Sequence, residues 1–266
     1  MSNIKKIKIF VNDSEESKKY YKKLVDRLLE NGFSVDDNSF DLAIAIGGDG
    51  CFLRMVKECK FNSEIYYVGI HTGTFGFAQD INTLEIDYFI DSLKKNSINF
   101  EDIGIGEVNF YNGEELVRYN FLNEIVLRDR GLNTLKLDTY VDDCLLENYV
   151  GDGILVATSF GSTAYNLSFG GSIVPHNFHT LQITPIAPLN NKSYRSLMNS
   201  VVIPSNKNIS FFPSQKSKNL LLSIDGDNYF YNDIEKLNVF IHNKTIKVIR
   251  KKDYNFIKKI NDKFLK

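Results

Sequence analysis

Over the first hundred residues, short apolar runs alternate with longer stretches in which apolar residues recur every three or four positions. Ile7 to Val11 predicts a strand. Asp13 or Ser14 then offers a cap for a helix reaching about Glu30, where Gly32 stops it. Leu42 to Ile46 is a compact apolar run that ends in glycines, and Phe52, Met55, Val56 and Cys59 follow at helical spacing. Ile65 to Ile70 predicts another strand, succeeded by Gly69, Gly73 and Gly76 and a helical stretch ending near Lys95. This alternation predicts a parallel sheet flanked by helices.

Beyond about residue 100 the texture changes to short β-rich runs separated by Asn, Asp and Gly. Asn120 to Leu127, Lys136 to Val141, Ile154 to Thr158, Val201 to Pro204, Leu220 to Ile224 and Lys244 to Arg250 suit strands. The pattern divides the chain into an α/β domain over 1–100 and a mainly antiparallel β domain over 101–266, whose extreme C-terminal segment has the option of packing back on the first domain. In the tail from Arg250 to Lys266, Ile257, Ile260 and Phe264 stand at helical spacing, which predicts a docked terminal helix with a solvated lysine face.

Charge and composition narrow the function classes. The 32 basic and 33 acidic side chains nearly cancel, so no global field gathers nucleic acid and any anionic ligand must be held locally. The three cysteines, Cys51, Cys59 and Cys144, form no C-x-x-C pair, which fits a reducing compartment; the expected location is cytoplasmic. Met1 to Phe10 alternates Lys with Ile and lacks the apolar centre of a signal peptide, and no stretch has the length of a bilayer span.

The sharpest local signal runs from Asp41 through Ile46 into Gly47-Gly48-Asp49-Gly50, an apolar strand that delivers a glycine turn to the start of a helix. Glycines let backbone N–H groups approach a phosphate, and the helix N-terminus adds partial positive charge. Asp49 is the informative oddity, because a carboxylate there repels phosphate unless a metal intervenes or it acts on a neighbouring proton. Capping of the helix is the alternative role, and the two are compatible. Neither G-x-x-x-x-G-K-[ST] nor a complete G-x-G-x-x-G after a strand occurs. Asn123-Glu124 interrupts an apolar run and supplies the donors and acceptors that a ribose diol needs, or else marks a strand-end kink. Gly151-Asp152-Gly153, then Ser159-Phe160-Gly161-Ser162-Thr163-Ala164-Tyr165 and Gly170-Gly171, read as a turn for a polar ligand. His176 and His179 lack the supporting ligands of a metal site, and His71 sits in a glycine loop.

In order and spacing, Gly47-Gly48-Asp49-Gly50, Gly69-Ile70-His71-Thr72-Gly73-Thr74-Phe75-Gly76-Phe77, Asn123-Glu124, Gly151-Asp152-Gly153, Gly161-Ser162-Thr163-Ala164-Tyr165 with Gly170-Gly171, and Asp225-Gly226 resemble the NAD kinase family across nearly the whole chain. The resemblance implies an N-terminal Rossmann-like α/β domain, a C-terminal β-sandwich domain that binds NAD, and an active site between them. It implies phosphorylation of the adenosine 2′-hydroxyl of NAD by ATP to give NADP. Asp49 would stand beside that hydroxyl as base or orienting group, and Gly47, Gly48 and Gly50 would meet the donor's phosphates. Asn123 and Glu124 would hold a ribose, Phe77 and Thr163-Ala164-Tyr165 would line the adenosine pocket, Asp152 and the Ala187 backbone would meet the nicotinamide side, and Ser168 is a further pocket candidate. A divalent metal, usually magnesium, and a homodimer or homotetramer are also implied.

Two departures stand out. Cys51 follows the glycine turn where a threonine is usual, and Ser159-Phe160 replaces the common Pro followed by Thr or Ser, which is expected to remove a hydroxyl from the pocket wall. The competing readings are a lipid kinase of the diacylglycerol or sphingosine type, which resembles this chain at the Gly-Gly-Asp-Gly turn, and a non-catalytic dinucleotide-binding regulator.

Overall fold

The computed structural model describes residues 4–73, 76–131, 133–215 and 217–266. Thr74 and Phe75 of the glycine-loop motif lie outside the described residues. The chain forms two compact units, one of residues 1–103 with 245–266, the other of residues 104–244.

The first unit opens with β1 (Lys6–Val11), α1 (Glu15–Glu30), β2 (Ser34–Val35), β3 (Leu42–Ile46), α2 (Asp49–Glu58), β4 (Tyr66–His71), β5 (Ile81–Asn82) and α3 (Ile86–Lys94). Ser14 caps α1 by accepting from Ser17 N, Glu15 and Glu16 sit in its positive first turn, and its apolar stripe buries Leu24 and Leu28. Strand β3 is buried at every position, which explains why its sequence shows a continuous run and no alternation. It pairs in parallel with β1 and β4, while β2 joins β1 and β5 joins β4, also in parallel. Ile7, Ile44, Ile46, Val68, Ile70, Leu24, Leu28, Phe89 and Ile90 meet in its core.

The second unit is entered along β6 (Asn99–Asn112). It contains β7 (Glu115–Phe121), β8 (Glu124–Asp129), β9 (Leu135–Val141), β10 (Cys144–Gly151), β11 (Gly153–Thr158), a 3-10 turn over Phe160–Thr163, the single-turn α4 (Tyr165–Ser168), β12 (Leu181–Ile186), β13 (Val201–Ile203), β14 (Ile209–Pro213), β15 (Leu220–Ile224) and β16 (Asp227–Tyr231). It is left along β17 (Leu237–Arg250). One antiparallel sheet runs β13-β12-β11-β8-β15-β16. The other pairs β10 with β9, β9 with β14 and β14 with β17, and β6 with β7. Their inward residues, among them Phe110, Phe121, Leu127, Leu137, Tyr149, Val156, Phe211, Leu222 and Val239, share one core, as in a β-sandwich.

The C-terminal residues rejoin the first unit, where β17 pairs in parallel with β4 and α5 (Phe256–Phe264) follows. No described helix is long and apolar enough to cross a membrane.

Three sequence expectations change. The run Asn120 to Leu127 is two strands, because β7 stops at Phe121 and the backbone bends at Leu122-Asn123 before β8. Lys244 to Arg250 is the end of a strand that starts at Leu237. The terminal helix does not present all its lysines to water: Lys259 is buried, whereas Ile257 is 68% exposed, because the Lys259 ammonium finds backbone carbonyls and a carboxylate inside the unit.

Candidate functional site

In the first unit the strand-to-helix turn after β3 places the glycine signal. Gly47 has φ 149°, a value that disfavours L side chains, and a Cβ there would lie 2.7 Å from the Asn12 amide. Gly48 occupies the N-cap of α2 and Gly50 its first turn, both exposed with open space around a virtual Cβ.

Asp49 does not cap its helix. It is the first helical residue, and its carboxylate instead accepts hydrogen bonds from Phe77 N and Ala78 N, each at 3.0 Å. Residues 76–78 therefore lie against Asp49, and the approach is so close that a Cβ on Gly76 would stand 2.1 Å from Asp49 Oδ1. Phe77 is buried, its ring stacked on Phe264 of α5 at 5.4 Å, so it is more enclosed than a simple pocket-lining role suggests. Cys51 is buried, with its thiol against Phe10 O and Arg54. Burial pushes the Cys51 thiol pKa up, which keeps it protonated and unreactive at neutral pH.

In the second unit the Asn123-Glu124 bend is built by three other segments. Asp225, with φ 44°, heads the β15–β16 hairpin and accepts from Leu122 N (2.8 Å), Asn123 N (2.7 Å) and Glu124 N (3.1 Å). Thr158 takes Asn123 O through its backbone N–H and Leu122 O through its hydroxyl. Gly161 lies against the same peptide, where a Cβ would come within 2.0 Å of Asn123 O. The Asn123 backbone is thus fixed on several sides while its side chain stays half-buried and, among the described residues, its amide makes no hydrogen bond. Glu124 is buried at the start of β8.

The turn that follows β11, which meets this bend at Gly161, carries Thr163, Ala164 and Tyr165. Thr163 and Ala164 are half-buried and Tyr165 is exposed, its hydroxyl accepting from Arg128 at 3.3 Å. Several of the hydroxyls that the sequence offers as ligand groups serve the turn itself. Ser162 Oγ bonds Val174 on both its O and its N, and buried Asn166 links Ser162 O to Gln182 and Thr184. Ser159 donates to His176 O, and Phe160 is buried with its ring 4.9 Å from that of His176. The Ser159-Phe160 departure therefore falls in the turn's packing, and Phe160 is no part of an open wall. Among the described residues His176 and His179 belong to no metal-binding cluster.

Asp152 and Ala187 are neighbours. Asp152 N donates to Ile186 O at 3.0 Å, and both residues are exposed. Behind them the buried Tyr149 hydroxyl bonds Gly153 O and, at 2.8 Å, Ile186 O, which locks the two segments together. Ser168 is exposed at the end of α4.

The residues that hold these backbones are Asp225, Thr158, Tyr149, Asn166 and Lys259. Asp225-Gly226 between two apolar runs carries a hairpin signal that could have placed the first. The others follow no local pattern.

Two family models match the chain, that of the ATP-NAD kinase N-terminal domain over residues 5–97 and that of the ATP-NAD kinase C-terminal domain over residues 122–250. Among curated relatives, an NAD kinase of Finegoldia magna is 38% identical over 99% of both chains. One of Streptococcus gordonii is 33% identical over 98% of this chain and 96% of its own. Two solved structures share the fold. Yeast NADH kinase complexed with NADH superposes with a TM-score of 0.86 at 21% identity, covering 98% of this chain and 88% of that one. An NAD kinase from Archaeoglobus fulgidus in complex with ATP gives 0.72 at 19% identity, covering 93% and 94%. The chain belongs to the ATP-NAD kinase family.

Proposed function

We propose that this protein is an NAD kinase that transfers the γ-phosphoryl group of ATP to the 2′-hydroxyl of the adenosine ribose of NAD, giving NADP and ADP. The observation that carries this reading is Asp49, a carboxylate set directly after Gly47-Gly48 and held in place by Phe77 N and Ala78 N. A carboxylate so fixed beside a phosphate-binding turn has a use as an acceptor of the attacking hydroxyl's proton. As the proton passes to Asp49, the ribose oxygen bonds to the γ-phosphorus, the bond to the bridging oxygen breaks, and ADP departs.

Gly47, Gly48 and Gly50 present backbone to the phosphates. In the second unit the amide of Asn123 and the carboxylate of Glu124 hold a ribose diol, Thr163, Ala164, Tyr165 and Ser168 bound the adenosine, and Asp152 with the Ala187 backbone receives the nicotinamide end. Among the described residues no group of three or more His, Cys, Asp or Glu side chains is arranged to hold a metal. The family resemblance supports a divalent metal, usually magnesium, as a companion of the triphosphate. The free state of Cys51, Cys59 and Cys144 supports a cytoplasmic setting, and the family resemblance supports a homodimer or homotetramer. The match of the C-terminal model to 122–250 favours this reading over a lipid kinase.

Titration of the purified protein with NAD, with and without ATP and magnesium, with NADP as the measured product, is the test. NAD binding without NADP formation would make it a regulator. Phosphorylation of a lipid alcohol in place of NAD would make it a lipid kinase.

A further inference from the structure

The first unit contains a set of buried charges that the proposed reaction does not use. Asp80, Arg250 and Lys259 are 3%, 4% and 4% exposed. Arg250 bonds Asp80 at 2.8 Å and Glu101 at 2.8 Å, and Lys259 Nζ contacts the other Asp80 oxygen. With the partly exposed Glu101, two anions balance two cations, which accounts for the survival of the buried charges. The remaining donors of Lys259 are what matter. They reach Phe77 O at 2.8 Å and Gln79 O at 3.0 Å, on the loop that holds Asp49.

One peptide plane therefore joins the two side chains. The C=O of Phe77 accepts from Lys259, and the N–H of the same peptide, that of Ala78, donates to Asp49 Oδ1 at 3.0 Å. A cation on the carbonyl polarises the amide and strengthens its N–H as a donor. It also fixes the peptide's orientation, since a flipped plane would turn the Phe77 carbonyl toward the Asp49 carboxylate. The Phe264 ring, stacked on Phe77 at 5.4 Å, holds α5 against the same loop.

We infer that Lys259, on the C-terminal helix, is a positioning residue for Asp49, acting through the Phe77–Ala78 peptide plane to hold the carboxylate in its working orientation. This rests on the reading of Asp49 under the proposed function. The helix thereby contributes to turnover without touching substrate. Burial lowers the Lys259 pKa and the Asp80 carboxylate opposes that, so the ammonium is sustained by its partner.

The test compares Lys259→Met, Lys259→Arg and Asp49→Asn, singly and with Lys259→Met combined with Asp49→Asn. Lys259→Met is expected to lower kcat about 10- to 100-fold, as misplacement of a reacting group does, with the NAD and ATP dissociation constants within about 3-fold. Lys259→Arg, which keeps a cationic donor, should recover most of the loss. In the Asp49→Asn background, Lys259→Met should cost little more. Losses that multiply in the double variant, or a Lys259→Met enzyme with normal kcat, would overturn the inference. Lys259→Gln replaces Lys259→Met in the cycle should the latter not fold. Hydrogen exchange at the Phe77 and Ala78 amides gives a readout independent of activity, with faster exchange expected in Lys259→Met and unchanged exchange counting against the link. If the wild type makes no NADP while exchange still responds, the functional reading fails and the structural link stands.

Discussion

Asp49 and Asn123 illustrate opposite ways of fixing a functional side chain. Asp49 is held by its own carboxylate, because both oxygens accept from the backbone of Phe77 and Ala78. Asp49→Asn therefore does more than remove a base. Its amide has one oxygen to offer two N–H donors and turns an NH₂ toward the second, so about 1–3 kcal/mol of stability should be lost and the melting temperature lowered by several degrees. kcat should fall about 10²- to 10⁴-fold with NAD affinity nearly kept. Calorimetry and kinetics on the same variant check both, and near-normal turnover would reduce Asp49 to a brace for the loop. Asn123 is held by its backbone, which leaves the amide available. Asn123→Ala should weaken NAD binding by about 1–3 kcal/mol while the fold is retained. An unchanged affinity in titration calorimetry would take Asn123 out of the pocket.

At the scale of elements, the bend between β7 and β8 depends on the hairpin of β15 and β16 and on the turn after β11. Gly161 is where that turn meets the bend, with its virtual Cβ 2.0 Å from the Asn123 carbonyl. Backbone cannot yield as a flexible side chain can, so Gly161→Ala should cost about 1–3 kcal/mol in overpacking and displace Asn123 as well. Urea unfolding combined with NAD titration reads the two effects, and a variant with normal stability would show that the turn has room to move. The buried amide and hydroxyl network of Ser162, Asn166, Gln182 and Thr184 explains why so polar a stretch packs stably: its members bond one another or the backbone.

For the molecule as a whole, the chain leaves the first unit at residue 103 and returns at 245, so β17 and α5 close a unit begun by β1. Groups buried with their protons on give the stability a pH signature. Burial pushes the Cys59 thiol from 9.0 up to about 11, and the Tyr67, Tyr149 and Tyr254 hydroxyls are pushed up as well. In the unfolded chain Cys59 loses its proton near pH 9, while the folded chain keeps it. The unfolded state then binds fewer protons, so stability is full below pH 9 and declines as pH rises toward 11. A shift of that size would be worth about 2–3 kcal/mol in a dry site, and partial solvent access reduces it to about 1 kcal/mol. The melting temperature should fall on this alkaline side, less steeply in Cys59→Ala. Equal slopes for both proteins would assign the decline to the tyrosines.

The sequence by itself determined most elements of the first unit, the mainly β character of the second and the motif residues, because periodicity, caps and glycine turns are set by neighbours along the chain. Ser14, Leu42 to Ile46 and Gly47-Gly48 needed no distant partner to be read. Strands β6, β10 and β16 carry no clear run of their own, since partly exposed antiparallel strands draw their stability from cross-strand partners far away in sequence. Only the tertiary structure decided that Asn123 sits in a bend made by Asp225, that Asp49 binds a loop and does not cap its helix, and that Lys259 lies inside. The physical reason is the same in each case. A buried charge or polar backbone group is stable only beside its partner, and those partners lie 28 residues away for Asp49 and Phe77, 102 for Asn123 and Asp225, and 182 for Lys259 and Phe77.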